Sequence, residues 1–204
     1  MFRSLNKVIK VLIFYDLILL FGWGLVAPIL AIFIVDEIKG GNAQVVGIAV
    51  GIYWVLKSLF QIPISWYLDR NYGEKDDYYF LIGGTLLGGL VPLGYIFVAL
   101  PWHIYLLQAI HALAMAVAFP PWGGIFTRHI DKGKEAQSWA LDSSALGIGV
   151  GVAGFIGGTV AKTFGFTPLF ISVGILGIIS ALSCLLIKKD LLPKEKVILI
   201  TKPK

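Results

Sequence analysis

The fold class of this chain is decided by residues 44–73, QVVGIAVGIYWVLKSLFQIPISWYLDRNYG. Residues 44–68 contain a single charged side chain, Lys57. A helix of about 20 apolar residues is long enough to cross a bilayer. A polar loop follows directly, beginning with Asp69 and Arg70. The stretch therefore predicts a transmembrane helix that ends at a charged membrane surface.

Apolar runs of the same kind lie on both sides of this stretch. The chain has 204 residues, of which 57% are hydrophobic and 14% charged, and its mean hydropathy is +0.84. This composition excludes a soluble domain and predicts an all-α membrane protein with a single domain over residues 1–204. We expect six transmembrane helices followed by a basic tail, near residues 8–35, 44–68, 79–99, 102–126, 137–161 and 166–187, with the tail at 188–204.

The positive charges predict the orientation of these helices. One side of the membrane collects fourteen Lys and Arg residues: Arg3, Lys7, Lys10, Arg70, Lys75, Arg128, Lys132, Lys134, Lys188, Lys189, Lys194, Lys196, Lys202 and Lys204. The other side has only Lys39 and Lys162. Because positive charge is retained in the cytoplasm, we expect a multi-pass plasma (inner) membrane protein with both termini cytoplasmic. The net charge of +5 then reflects topology, and no nucleic acid partner is expected.

The end of the first helix resembles the end of the fourth. A shift of 93 positions gives seven identities among residues 28–44: Pro28 with Pro121, Ile32 with Ile125, Phe33 with Phe126, Lys39 with Lys132, Gly40 with Gly133, Ala43 with Ala136 and Gln44 with Gln137. The first helix leaves the cytoplasm and the fourth returns to it. The fold is therefore predicted to consist of two inverted three-helix repeats, an arrangement typical of transporters.

Three segments resemble sequence motifs of the major facilitator superfamily. ISWYLDRNYG (64–73) is similar to its cytoplasmic signature G-x-L-x-D-R-x-G-R-K, with Asp69, Arg70 and Gly73 matching. LLQAIHALAMAVAFPPWGG (106–124) resembles the family's R-x-x-Q-G-x-G-A-A segment and keeps a later proline at Pro120, although Gln108 stands in the arginine position. GIGVGVAGFIGG (147–158) is similar to the G-x-x-x-G-P-x-x-G-G run, without its proline.

The resemblance covers one half of a typical member, which has two six-helix halves around a central cavity. It implies a secondary active transporter of a small solute by alternating access, possessing no cofactor. Because positive charge gives each chain one orientation, we expect a parallel two-fold homodimer in the lipid bilayer. The alternative is a non-transporting scaffold or the accessory half of a heterodimer. An enzyme is not expected, since no metal-ligand spacing and no nucleophile beside a base are present.

Ionisable residues inside transmembrane helices are candidates for function, because their insertion costs about 2.5–3.5 kcal/mol each. Asp16 and Asp142 lie about six residues, or about 9 Å, into the first and fifth helices. Lys57 lies nearer the midplane, at a depth where a carboxylate could meet it. These residues bind solute or protons, or they form a neutralising ion pair, and the two interpretations have equal weight.

A further group of residues is expected to complete the binding site. His111 suits proton coupling because the unperturbed pKa of histidine is about 6.5, and the alternative is a hydrogen bond to a neighbouring helix. The remaining candidates for the cavity wall are Gln61, Gln108, Trp23, Tyr53 and Trp139. Trp54 and Trp66 are expected to face lipid or the interface.

Two predictions concern contacts between halves. The resemblance implies a cytoplasmic gate in which Asp69 docks on the fifth helix of the other half; Arg70, Gly73 and Arg128 are grouped with it. Small residues let helices approach closely, and such a face is formed by Gly147, Gly151, Gly154 and Gly158. We expect these glycines either at the interface between protomers or in ordinary packing within one bundle.

Overall fold

The computed structural model describes residues 5–70 and 74–192, which form six apolar helices long enough to cross a membrane. They are α1 (Lys7–Glu37), α2 (Ala43–Arg70), α3 (Lys75–Phe97), α4 (Pro101–Arg128), α5 (Glu135–Phe164) and α6 (Thr167–Leu191). The prediction of an all-α protein with six membrane helices is confirmed. Arg3, Gly73 and the tail beyond residue 192 lie outside the described residues.

The first helix is not continuous, although residues 8–35 were expected to form one helix. It consists of Lys7–Val26 and Leu30–Glu37, separated by a turn at residues 27–29. Pro28 lies in this turn and has no backbone N–H to donate, so the hydrogen-bond ladder is interrupted there. Other prolines, Pro63, Pro120 and Pro121, lie inside uninterrupted helices.

The helices pack side by side in an open arc. The principal contacts give the order α2, α4, α3, α6, α1, α5. In the most apolar 18-residue stretch of each helix, 11% and 17% of the residues are buried in α2 and α5, at the two ends of the arc, against 44–50% in the other four helices. The concave side of the arc is therefore bounded by the two least covered helices.

Glycines set the closest helix crossings. At the crossing of α3 and α6, a Cβ added to Gly89 would lie 3.0 Å from Cα of Gly177. Gly84 of α3 has the same role against the backbone of Ala114 in α4. Close approach of this kind is the usual way that helices associate where both lipid and core are apolar.

One end of the bundle collects the charged ends of the helices, and we call it the basic end. Here α1, α3 and α5 begin and α2, α4 and α6 end. An ion pair of 2.6 Å joins Lys7 of α1 to Asp190 of α6. Deeper in the bundle, the Tyr15 and Thr85 hydroxyls are 2.6 Å apart, and Ser180 donates to the Tyr15 carbonyl, so that α1, α3 and α6 are tied together.

Candidate functional site

A cavity of about 630 Å³ opens on the concave side of the arc. Its wall consists of residues from α1, α2, α4 and α5, while α3 and α6 lie behind and contribute none of the lining residues. Most of the wall is aromatic or aliphatic, and four ionisable side chains interrupt it: Asp16, Lys57, His111 and Asp142. The structure thus brings together, in one space at membrane depth, the residues that the bilayer disfavours most.

The two carboxylates occupy one wall of the cavity. Asp16 lies on α1 and Asp142 on α5, and these helices pack against each other. Both carboxylates line the same cavity. Among the described residues, no Lys, Arg or His nitrogen lies within 4.0 Å of either one. The ion pair with Lys57 that the sequence allowed is therefore not formed within this chain.

Lys57 on α2 and His111 on α4 also line the cavity. The Lys57 ammonium lies over three aromatic rings, 4.5 Å from the centroid of Phe119, 5.1 Å from that of Trp54 and 5.9 Å from that of Tyr53. An ammonium in this position is attracted by the negative faces of the rings. The lysine is consequently held at the wall by aromatic contacts.

His111 lies in an aromatic stack at the centre of the wall. Its ring is 3.9 Å from Trp23 of α1, with an interplanar angle of 15°, and 4.7 Å from Tyr53 of α2, with an angle of 28°. One imidazole thus connects three helices. The expected hydrogen bond to a neighbouring helix is absent at Nε2, which is buried and has no partner in the described part of the chain.

Several buried polar atoms of the cavity residues have no hydrogen-bond partner within the described residues. They are Nε1 of Trp23, Nε1 of Trp122, Nε2 of His111 and Oδ1 of Asp142. Unpaired buried polar atoms are uncommon in folded proteins, because each costs about 1–3 kcal/mol. Their concentration around one cavity indicates a site whose polar groups are available to a ligand.

The described residues include no group of three or more His, Cys, Asp or Glu side chains that could hold a metal ion.

The structure places most, though not all, of the predicted site residues at the cavity. Asp16, Trp23, Tyr53, Lys57, His111, Trp139 and Asp142 line it. Gln61 and Gln108 do not: each lies about one helical turn from a lining residue, Gln61 beyond Lys57 and Gln108 before His111, and Gln108 is buried elsewhere in the bundle.

Other wall residues were not predicted. Trp54 lines the cavity, although it was expected to face only lipid or the interface, and more than half of its surface is exposed. Tyr15, Phe119, Trp122 and Ser143 were also missed. Phe119 and Trp122 follow His111 at helical spacing on α4, and this periodicity is the signal that could have identified them.

Three of the four predicted gate residues, Asp69, Arg70 and Arg128, lie at the basic end. Asp69 is exposed, and the described part of the chain gives it no ion-pair partner. The Arg70 guanidinium stacks on Trp66 at 3.4 Å from the ring centroid. Arg128 instead bridges two helices of the same chain, since it donates to Glu74 at 2.9 Å and to the buried Asp77 of α3. Gly73 lies outside the described residues.

The glycines of α5 form two different faces. Gly149 and Gly157 face α1, and a Cβ added to Gly157 would overlap the backbone of Leu25. Three of the predicted packing glycines, Gly147, Gly151 and Gly158, have no described atom within 4 Å of an added Cβ. The fourth, Gly154, makes only an ordinary contact with Pro28 at 3.8 Å. Most of the predicted face is thus open within the chain.

Comparison with known proteins identifies a family and a curated relative. The family model of the Major Facilitator Superfamily matches residues 12–202. The chain is also 27% identical over 179 residues to an uncharacterised MFS-type transporter of Methanocaldococcus jannaschii. That match covers 86% of this chain and 45% of the relative, so the chain spans less than half the length of the curated protein that it matches.

Proposed function

The chain belongs to the Major Facilitator Superfamily, and from this premise we propose that it is one six-helix half of a secondary transporter that moves a small solute by alternating access. Members of the superfamily are generally transporters rather than enzymes, and the archaeal relative is named a transporter. The observation that carries the proposal is the cavity, which places Asp16, Lys57, His111 and Asp142 together at membrane depth.

A second half is required because the cavity is open on the concave side of the arc. A lone bundle would present these ionisable groups toward lipid, which is unfavourable. The sparsely buried helices α2 and α5 flank the cavity, and the open glycine face of α5 lies beside it. We propose a second copy of this chain as the other half, in parallel orientation, because the positive charges give every copy the same orientation.

The arrangement of helices supports two inverted three-helix repeats. If α1, α2 and α3 correspond to α4, α5 and α6, each principal contact has a counterpart: α1 with α5 corresponds to α4 with α2, and α1 with α6 to α4 with α3. Gly40 and Gly133, paired by the shift of 93 positions, both have left-handed backbone with φ of +83° and +79°. Equivalent turns at equivalent positions are expected of a repeat.

The proposed orientation places the basic end in the cytoplasm of the cell, with the chain in the plasma membrane. Asp69 is then available for the partner, since it is exposed at that end without a partner of its own. In the symmetric dimer, Asp69 of each copy docks at the N-terminal end of α5 of the other, where the helix dipole favours a negative charge. Two such contacts close the cytoplasmic side of the cavity.

A proton is the candidate coupling ion. His111 is stacked on Trp23 and Tyr53 with Nε2 unpaired, and Asp142 has an unpaired carboxylate oxygen. Both groups can gain or lose a proton without breaking an existing hydrogen bond at those atoms. Their shared position on the cavity wall would couple such a proton to the solute.

Alternating access is testable by labelling a single cysteine from each side of the membrane. In a Cys184→Ser background, Ser143→Cys places a thiol in the cavity, and Ser58→Cys places one on the exposed surface of α2 next to Lys57. In proteoliposomes, we expect an impermeant maleimide to label the Ser143→Cys variant from either side and to leave the Ser58→Cys control unlabelled. Adding Asp69→Asn should increase labelling from the cytoplasmic side, because a gate contact is lost.

The labelling pattern can also contradict the proposal. Labelling of the Ser143→Cys variant from one side only, under all conditions, would be inconsistent with alternating access. No change on adding Asp69→Asn would remove that residue from the gate. No labelling of the cavity thiol from either side would exclude the cavity as a solute path and favour a non-transporting scaffold.

A further inference from the structure

We propose that the solute carried in this cavity is an organic cation with an aromatic or aliphatic body, and that its positive group binds between Asp16 and Asp142. The inference rests on the proposed function, because it names the substrate class of the same cavity. It is argued from the charges that the chain leaves unpaired and from the side chains that surround them.

The carboxylates provide the cation site. Asp142 is 3% exposed and its Oδ1 has no hydrogen-bond partner among the described residues, while Asp16 lines the same cavity from the adjacent helix. Two neighbouring carboxylates away from bulk water repel each other, and a positive charge between them relieves the repulsion. Within the described residues, the protein supplies no such charge within 4.0 Å.

Lys57 does not remove this requirement. Its ammonium is held over the rings of Phe119, Trp54 and Tyr53 and forms no ion pair with either carboxylate. A basic residue that neutralised the carboxylates would have to leave these contacts. The charges of the cavity are therefore satisfied unequally. The carboxylates on α1 and α5 have no cation among the described residues, whereas the Lys57 ammonium on α2 already has aromatic partners.

The remaining wall suits a cation that is also apolar. Indole, phenol and phenyl rings are the most effective aromatic partners of an organic cation, and quaternary ammonium ligands are recognised by boxes of such rings. Seven aromatic side chains other than His111 line the cavity: Tyr15, Trp23, Tyr53, Trp54, Phe119, Trp122 and Trp139. A sugar or another neutral polyol would bring no positive charge to the two carboxylates.

The test compares two probes of the same shape and opposite charge. Tetraphenylphosphonium and tetraphenylborate are titrated into the full chain in lipid nanodiscs, with empty nanodiscs as the blank for partitioning into lipid. Binding is followed by tryptophan fluorescence, since four of the six tryptophans line the cavity. We expect saturable binding of tetraphenylphosphonium and at least about tenfold weaker binding of tetraphenylborate.

Variants locate the binding site. Asp142→Asn and Asp16→Asn should each weaken tetraphenylphosphonium binding by about tenfold, because each removes one of the two charges. Asp36→Asn is the matched control, since Asp36 is an exposed carboxylate near the far end of α1 and outside the cavity. Lys57→Met should strengthen binding, because it removes a like charge, and this gain does not depend on the stability of the aspartate variants.

The outcomes separate this inference from the proposed function, because binding is measured without transport. Equal binding of the two probes would overturn the inference. It would also be overturned if tetraphenylphosphonium binding were unchanged both in the Asp16→Asn/Asp142→Asn double variant and in the separate Lys57→Met variant. Either result would do so even where the cysteine labelling demonstrates alternating access. Selective binding of tetraphenylphosphonium that depends on the aspartates would support the cation site; if the labelling then contradicted transport, the proposed function alone would fail.

Discussion

At the scale of single residues, the stacked His111 is the most informative side chain of the cavity. Its ring holds α1 and α2 to α4 through Trp23 and Tyr53, while Nε2 remains unpaired. An aromatic ring of similar size should preserve the stacking and lose only the polar atoms. An alanine should lose the stacking as well, and the two contributions are therefore separable by substitution.

We predict that His111→Phe changes stability by less than about 1.5 kcal/mol, because it conserves most of the volume and the stack. His111→Ala should cost about 2–4 kcal/mol, because it leaves a gap between Trp23 and Tyr53. Thermal unfolding of the purified variants measures the difference. An equal loss of stability in both would mean that the polar atoms of the imidazole, and not the stacking, hold the three helices.

At the scale of helices, the two faces of α5 have opposite requirements for a side chain. Gly157 touches the backbone of α1 at Leu25, whereas the adjacent Gly158 has open space around its Cβ position. Consecutive residues on a helix point about 100° apart, so one sequence run supplies both a packing face and an open face. The two glycines form a matched pair for mutation.

We predict that Gly157→Ala destabilises the bundle by about 1–3 kcal/mol, because α1 and α5 must separate to admit the methyl group. Gly158→Ala should be neutral, or stabilising by up to about 1 kcal/mol, because alanine favours the helix and meets nothing within the chain. Midpoints of thermal unfolding in detergent compare the variants. Similar midpoints for both would contradict the close packing of α1 on α5.

At the scale of the whole molecule, the open arc bears on the proposed second half of the transporter. The sparsely covered helices α2 and α5 border a cavity that contains Asp16 and Asp142. A second copy, related by a two-fold axis along the membrane normal, would cover both edges and enclose the ionisable groups. The open face of α5 at Gly151 then lies at the interface.

We predict that the chain in nanodiscs contains two copies, counted by photobleaching of one fluorophore per chain. Gly151→Trp should reduce the dimer by blocking close approach, whereas Gly83→Trp should not, because Gly83 has equal open space but lies on α3, behind the cavity. A single copy that retains alternating access would refute the dimer. Pairing with a different six-helix chain would replace it by a heterodimer.

Much of this architecture could be read from local sequence. The number of helices follows from runs such as residues 44–68, because the thickness of the bilayer fixes how many apolar residues a crossing needs. The sequence also identified Asp16, Lys57, His111 and Asp142, since ionisable residues within apolar runs are conspicuous. The sequence did not predict which side of a helix faces the cavity. Gln61 was expected to line it and Trp54 was not, yet of these two residues of α2 only Trp54 lines the cavity.

The class of the protein, the number of its apolar helices and the charged residues within them follow from the sequence, because length, hydropathy and charge are local properties of the chain. Which face of each helix is inside follows from the packing. The packing distinguishes Gly157 from Gly158 and gives Asp142 no cation among the described residues. The physical reason is that lipid and protein interior are equally apolar, so hydrophobic periodicity does not reveal the rotation of a membrane helix, which side-chain packing determines.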